Sequence, residues 1–234
     1  MKMDQIALIG AMNEEIELLL QAMDNVTQTK RAGIVFHTGI FHGKNVVVCR
    51  TGVGKVNAAV CTQILIDTFE VKSIIFTGVA GALDPELNIG DIVVSKECMQ
   101  HDMDVTPLGF ARGIIPYEEI SIFQADPQLV ELALASSSRL FPGRSKHGRV
   151  LSGDQFVASR EVVSQLHTEL EGTCTEMEGA SVAQVCSMNE IPFVIIRSMS
   201  DKADGSAHVN FGEFTVQASR NSFRMIEDIV KHLA

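Results

Sequence analysis

Three acidic residues far apart in the chain share one kind of setting. Glu15 follows the turn Gly10-Ala-Met-Asn13, Glu178 closes Thr175-Glu-Met-Glu178, and Asp201 comes after the apolar run Phe193 to Ile196. Each lies at the end of a stretch that reads as a strand or as a turn into a helix. In open α/β sheets ligands sit outside the carboxyl ends of strands, so acids placed there can meet in one crevice. Carboxylates in unlike surroundings divide acid, base and hydroxyl-binding work, as in hydrolysis of a glycosidic bond. Each acid also has a plain structural account. Glu14 and Glu15 stabilise a helix start through its dipole, and an Asp after a strand caps a loop or helix. Taken singly, the structural accounts are the commoner ones; the chemistry depends on what the chain brings together.

The elements that must do so can be read in order. Gln5 to Ile9 reads as a short buried strand, and Glu14 to about Met23 as a helix with Ile16, Leu19, Leu20 and Met23 on one face. Residues 33–50 read as a hairpin, Ile34–Phe41 and Asn45–Arg50, turning at His42-Gly43-Lys44. Thr51-Gly-Val-Gly-Lys55 opens a helix to about Phe69 but completes neither a P-loop nor GxGxxG. Ser73 to Thr77 is a strand ending in Gly78-Val-Ala-Gly-Ala82, small residues that let a bulky group approach. Asp91 to Cys98 is another strand. His101-Asp-Met-Asp104 has no partner cluster at metal-ligand spacing, so no metal site is expected. Residues 105–125 form a long irregular connection of the kind that serves function or an interface. Asp126 caps a helix with Pro127 at its first position, ending near Arg139. Lys146 to Ser152 is a strand, Gly153 to Val157 a turn, and Ser159 caps a helix to about His167. If extended, Glu176 and Glu178 point the same way before a helix of small residues that ends near Asn189. Phe193 to Ile196 reads as a strand buried on both faces, with Asp201 just past its carboxyl end. Asn210 and Glu213 resemble a capping box opening a last helix striped by Val216, Phe223, Ile226, Val230 and Leu233. This alternation predicts one α/β domain over residues 1–234, a central mixed, mostly parallel twisted sheet flanked by helices.

Composition narrows the partners. The 234 residues are 46% hydrophobic and 21% charged, which suits a folded globule. A formal charge of −10 argues against a nucleic-acid backbone, which needs clustered Lys and Arg. No apolar run approaches the roughly 18 residues of a membrane helix, and Met1-Lys-Met-Asp4 does not read as a signal peptide. Cys49, Cys61, Cys98, Cys174 and Cys186 are odd in number and set in apolar segments, which fits reduced thiols in a cytoplasm.

Beyond single residues, a series of short motifs runs in order along nearly the whole chain. It comprises Ile9-Gly-Ala-Met-Asn-Glu-Glu15, Thr77-Gly-Val-Ala-Gly81, Gly90-Asp-Ile-Val-Val94, His101-Asp-Met-Asp-Val-Thr106, Ser152-Gly-Asp-Gln-Phe156, Glu176-Met-Glu178 and Arg197-Ser-Met-Ser-Asp-Lys-Ala-Asp204. The series resembles that of the 5′-methylthioadenosine/S-adenosylhomocysteine nucleosidases. The resemblance implies a homodimer of nucleoside phosphorylase fold that releases adenine and a thioribose without a cofactor. It implies Asp201, oriented by Ser200, as the proton donor to adenine N7. An Asp of ordinary pKa, about 3.9, must be held protonated for that role. Glu15 is implied as the base that activates water, and Glu178 as the binder of the ribose hydroxyls. By the same resemblance Phe156 stacks on adenine, the Val157 backbone reads its edge, and Gly81 contacts substrate. Met12, Val53, Met177, Phe211 and, from a partner subunit, Val105 and Leu108 line the ribose and alkylthio pocket. Leu108, where some relatives carry an aromatic, and Val79, in place of a serine, depart from the pattern without touching the acids. Two rivals stand beside this reading: a purine nucleoside phosphorylase of the same fold and a non-catalytic nucleoside-binding protein.

Overall fold

Ile6 to Ile9 are apolar without alternation, as a strand buried on both faces requires. In the computed structural model they form β1 (Gln5–Gly10), which leads into α1 (Asn13–Gln21). The structure describes residues 5–202 and 207–233, with side chains for 5–202, 214 and 216–233. Next come β2 (Asp24–Arg31), β3 (Ile34–Phe41), β4 (Lys44–Arg50), α2 (Lys55–Phe69), β5 (Ser73–Ala82) and β6 (Ile92–Gln100). A 3₁₀ turn at Thr106–Leu108 and the short β7 (Ile122–Gln124) interrupt the long connection, followed by α3 (Pro127–Leu140) and β8 (Ser145–Ser152). Finally α4 (Arg160–Leu170), β9 (Gly172–Glu176), α5 (Gly179–Met188), β10 (Phe193–Asp201) and α6 (Ala207–His232) complete the described order.

All ten strands join one mixed sheet. β4, β1, β5 and β10 lie side by side in parallel, and so do β6, β8 and β9. Antiparallel pairings β10–β6 and β5–β9 join the two sets, so five strands close into a ring from which β1, β4, β3 and β2 extend. The helices pack around it, α1 and α3 against α6 and α2 against α5. Phe36, Phe41, Phe76, Leu8 and Ile74 are among the fully buried side chains between the layers.

Several local expectations give way to tertiary pairing. β2 was not expected: Asp24-Asn-Val-Thr-Gln-Thr-Lys-Arg31 is mostly exposed, and edge pairing with β3 makes it a strand rather than any apolar face. The strand expected over Ser73 to Thr77 does not stop before Gly78. β5 runs on through it because Gly78 to Gly81 still pair with Arg197 to Asp201 of β10. Asp201 is accordingly the last residue of β10 rather than a residue beyond it. Asp126 does cap α3, accepting from the amides of Gln128 and Leu129. Ser159 stands at the start of α4, but its hydroxyl donates to Glu161 and accepts no bond from the helix amides. α6 already begins at Ala207, so Asn210 lies inside its first turns, and the capping pair falls outside the described side chains.

Candidate active site

Glu15 is the third residue of α1, where a carboxylate can reach back to the helix start. Its Oε2 accepts hydrogen bonds from the amides of Ala11 (2.6 Å) and Met12 (2.9 Å), and its Oε1 from the Val79 amide of β5 (3.1 Å). The side chain is thereby held over the strand ends instead of in solvent. Close approach explains Gly78: a Cβ there would lie 2.7 Å from Glu15 Oε1 and 2.9 Å from Arg197 Nη1. Burial raises the pKa of Glu15, while Arg197 and the three amides oppose the rise.

Beneath it, Arg197 of β10 is fully buried, with Nη2 2.5 Å from Glu176 Oε2 and the guanidinium over the Phe76 ring at 4.0 Å. Glu176 also accepts from the Ser152 hydroxyl and from the Gly179 amide (2.8 Å). Burial works against the charge on Arg197, yet Glu176 and Glu15 together raise its pKa. A buried pair of this kind is held by its hydrogen bonds as much as by Coulomb attraction.

Glu176 and Glu178 do not lie along one extended strand. β9 stops at Glu176, and Glu178 turns the chain into α5 as its N-cap residue, with φ −137° and ψ −37°. Its Oε1 accepts from the Gly54 amide at 2.8 Å. Burial first, and the neighbouring Glu176 second, push its carboxyl up to about 8. Asp201, also buried, stands opposite Gly81 in the β5–β10 pairing, and the Ser200 hydroxyl donates to its Oδ2 at 2.9 Å.

Glu15, Glu178 and Asp201 therefore share one cleft of about 600 Å³ of empty space, part of it open to solvent. Met12, Val53, Gly81, Phe156, Val157, Met177 and Ser200 line it as well. Phe156 and Val53 are each 52% exposed, so the side of the cleft they form is an open rim. Val105 and Leu108 are not in this chain's own cleft, and Leu108 is exposed. Phe211 lies outside the described side chains. Sequence reasoning missed Glu176 as a lining residue and Arg197 beneath the cleft. The available signal was a charged residue directly after the run read as buried on both faces, since Arg197 there demands a buried counter-charge if the strand continues. No described lining residue is a Lys or Arg, and no described group of His, Cys, Asp and Glu could hold a metal ion.

Fold and cleft define an enzyme of the phosphorylase superfamily, whose family model matches residues 5–231. A 5′-methylthioadenosine/S-adenosylhomocysteine nucleosidase of Halalkalibacterium halodurans is 40% identical over 233 residues, 99% of this chain and 100% of that protein. The nucleosidase of the same name from Neisseria meningitidis, solved with methylthio-immucillin-A, superimposes with a TM-score of 0.94 at 40% identity. That match covers 99% of this chain and 100% of the other. The futalosine hydrolase of Helicobacter pylori superimposes with a TM-score of 0.93 at 34% identity over 98% of each chain. The chain belongs to the 5′-methylthioadenosine/S-adenosylhomocysteine nucleosidase family.

Proposed function

We propose that this protein hydrolyses the N-glycosidic bond of 5′-methylthioadenosine and S-adenosylhomocysteine, and of 5′-deoxyadenosine, releasing adenine and the 5-substituted ribose. Asp201, oriented by Ser200, donates a proton to adenine N7 as the C1′–N9 bond breaks. Glu15 takes a proton from the water that adds to C1′. Glu178 holds the ribose hydroxyls, a contact that strengthens as the sugar gains oxocarbenium character. Phe156 stacks on adenine and the Val157 backbone reads its edge, while Met12, Val53 and Met177 surround the sugar and its alkylthio tail. A second copy of the chain closes the rim with Val105 and Leu108, in a homodimer of the cytoplasm. The free, buried state of all five cysteines supports that compartment.

The observation that carries hydrolysis over phosphorolysis is the lining itself. It includes Glu15, Glu176, Glu178 and Asp201, and among its described residues no cation. Phosphate beside Glu15, the acid that must be ionised to act as base, is repelled with no lining cation to offset it, whereas water is neutral and needs only a base. The buried guanidinium of Arg197 is already engaged by Glu176. Product analysis in saturating phosphate tests this. We expect free thioribose in step with adenine at a rate independent of phosphate, and loss of turnover in Glu15→Gln. Accumulation of a sugar 1-phosphate would overturn the assignment.

A further inference from the structure

Outside the cleft, three charged side chains form a closed circuit of hydrogen bonds across segments distant in sequence. Lys55 Nζ donates to Asp102 Oδ1 at 2.7 Å. The other oxygen of Asp102, Oδ2, accepts from the Asp154 amide at 3.0 Å. The Asp154 carboxylate in turn accepts from the Lys55 amide at 2.8 Å, at the first residue of α2. The circuit returns to the residue where it began. Two further bonds brace it: Lys55 Nζ to Gln100 Oε1 (3.0 Å) and the Ser181 hydroxyl to the Lys55 carbonyl (2.8 Å).

None of the three side chains lines the cleft, but Asp154 directly precedes lining residues and Lys55 lies two residues after the lining Val53. Gly54, one residue before Lys55, gives its amide to Glu178. Gln155, Phe156 and Val157 follow Asp154 directly and line the rim. Ser181 lies in the first turn of α5, which Glu178 opens. Gly54 is held at φ +95°, and a Cβ there would meet Asp154 Oδ1 at 3.1 Å, so the two loops are pressed together where only glycine fits.

We infer that Lys55, Asp102 and Asp154 are positioning residues that lock the 51–55 turn to the 153–157 turn and so set Glu178 and Phe156 in one geometry. The pair Lys55–Asp102 is mostly shielded, with 20% and 15% of the two side chains exposed, which suits a persistent contact rather than a solvated one. Lys55 and the Asp154 amide lower the pKa of Asp102 against the effect of burial, so it is charged at neutral pH.

This inference rests on the nucleosidase reading of the cleft, and the test separates the two. Adenine release by wild type, Lys55→Met, Lys55→Arg and Asp102→Asn is measured at a temperature where all four are folded by circular dichroism. A merely structural role lowers the amount of active protein and leaves KM alone. We expect instead that Lys55→Met and Asp102→Asn raise KM about tenfold or more, because small misplacement of binding groups is costly. The kcat should fall less, and Lys55→Arg, which keeps a donor for Asp102, should stay near wild type. The double variant Lys55→Met/Asp102→Asn should be no worse than either single one, since the circuit is broken once. If Lys55→Met does not fold, Asp102→Asn decides alone. Unchanged KM in folded variants, with wild type active, overturns the clamp; inactive wild type overturns the nucleosidase reading instead.

Discussion

The floor and the rim of the cleft are built on opposite terms. At the floor, Glu15, Glu176 and Arg197 are buried, and their partners come from β5, β9, β10 and the start of α5. At the rim, Phe156 and Val53 are half exposed, on turns rather than strands. Charges that must act without reorganising belong on rigid elements, where the cost of desolvating them is met during folding. Apolar groups that only embrace a substrate gain their burial when it arrives, so exposure before binding is useful to them. The floor should therefore govern stability and turnover, and the rim should govern binding.

The largest break in this contrast comes from Arg197→Met, which strands Glu176 as an unpaired charge among buried groups. We expect a loss of about 3–5 kcal/mol in unfolding free energy by urea titration, the usual scale for halving a buried pair. Adding Glu176→Gln to that variant should restore much of the loss, because the stranded charge is removed. No stability change in the single variant would mean that the floor is not held by this pair.

A smaller effect is expected at the rim. Phe156→Ala should weaken nucleoside binding by about 1–3 kcal/mol, the range of an aromatic stacked on a base. Unfolding free energy should hardly move, since half of the ring is already in solvent. Calorimetric titration with adenine beside a urea melt shows which quantity responds. A stability loss larger than the binding loss would erase the distinction between the two regions.

The last expected signal is a slope, small within any one pH unit. Glu178 has a folded pKa raised to about 8 from an ordinary value near 4.5, chiefly by burial. The folded state then binds more protons than the unfolded state between those values. Stability attached to this group is complete below about pH 4.5 and is lost as pH rises toward 8, by at most about 1.4 kcal/mol per pH unit. Glu178→Gln cannot ionise, so its stability relative to wild type should grow from pH 5 to pH 8. A flat difference across that range would show that Glu178 is not held protonated.

Much of this was legible without coordinates. Unbroken apolar runs in Gln5 to Ile9 and Phe193 to Ile196 require buried strands, because burial on both faces leaves no polar alternation. Asp126-Pro127 marks a helix start by local chemistry alone, and α3 begins there. The small residues of Gly78 to Gly81 announce a close approach, although their kind cannot say of what. The three acids could be picked out by position, and the motif series ordered them.

What the chain could not settle locally was decided by pairing and burial. A polar segment such as Asp24 to Arg31 becomes a strand only because β3 offers it an edge. Glu176 and Glu178 part company because one meets Arg197 and the other the Gly54 amide, partners 21 and 124 positions away. The raised pKa values of Glu15 and Glu178 come from desolvation, a property of the surroundings that no residue carries by itself. Residue types and short spacings set which groups can do chemistry and which stretches must be buried. Long-range closure of the sheet chose which charges face one another, because electrostatic energy depends on distance in space and not along the chain.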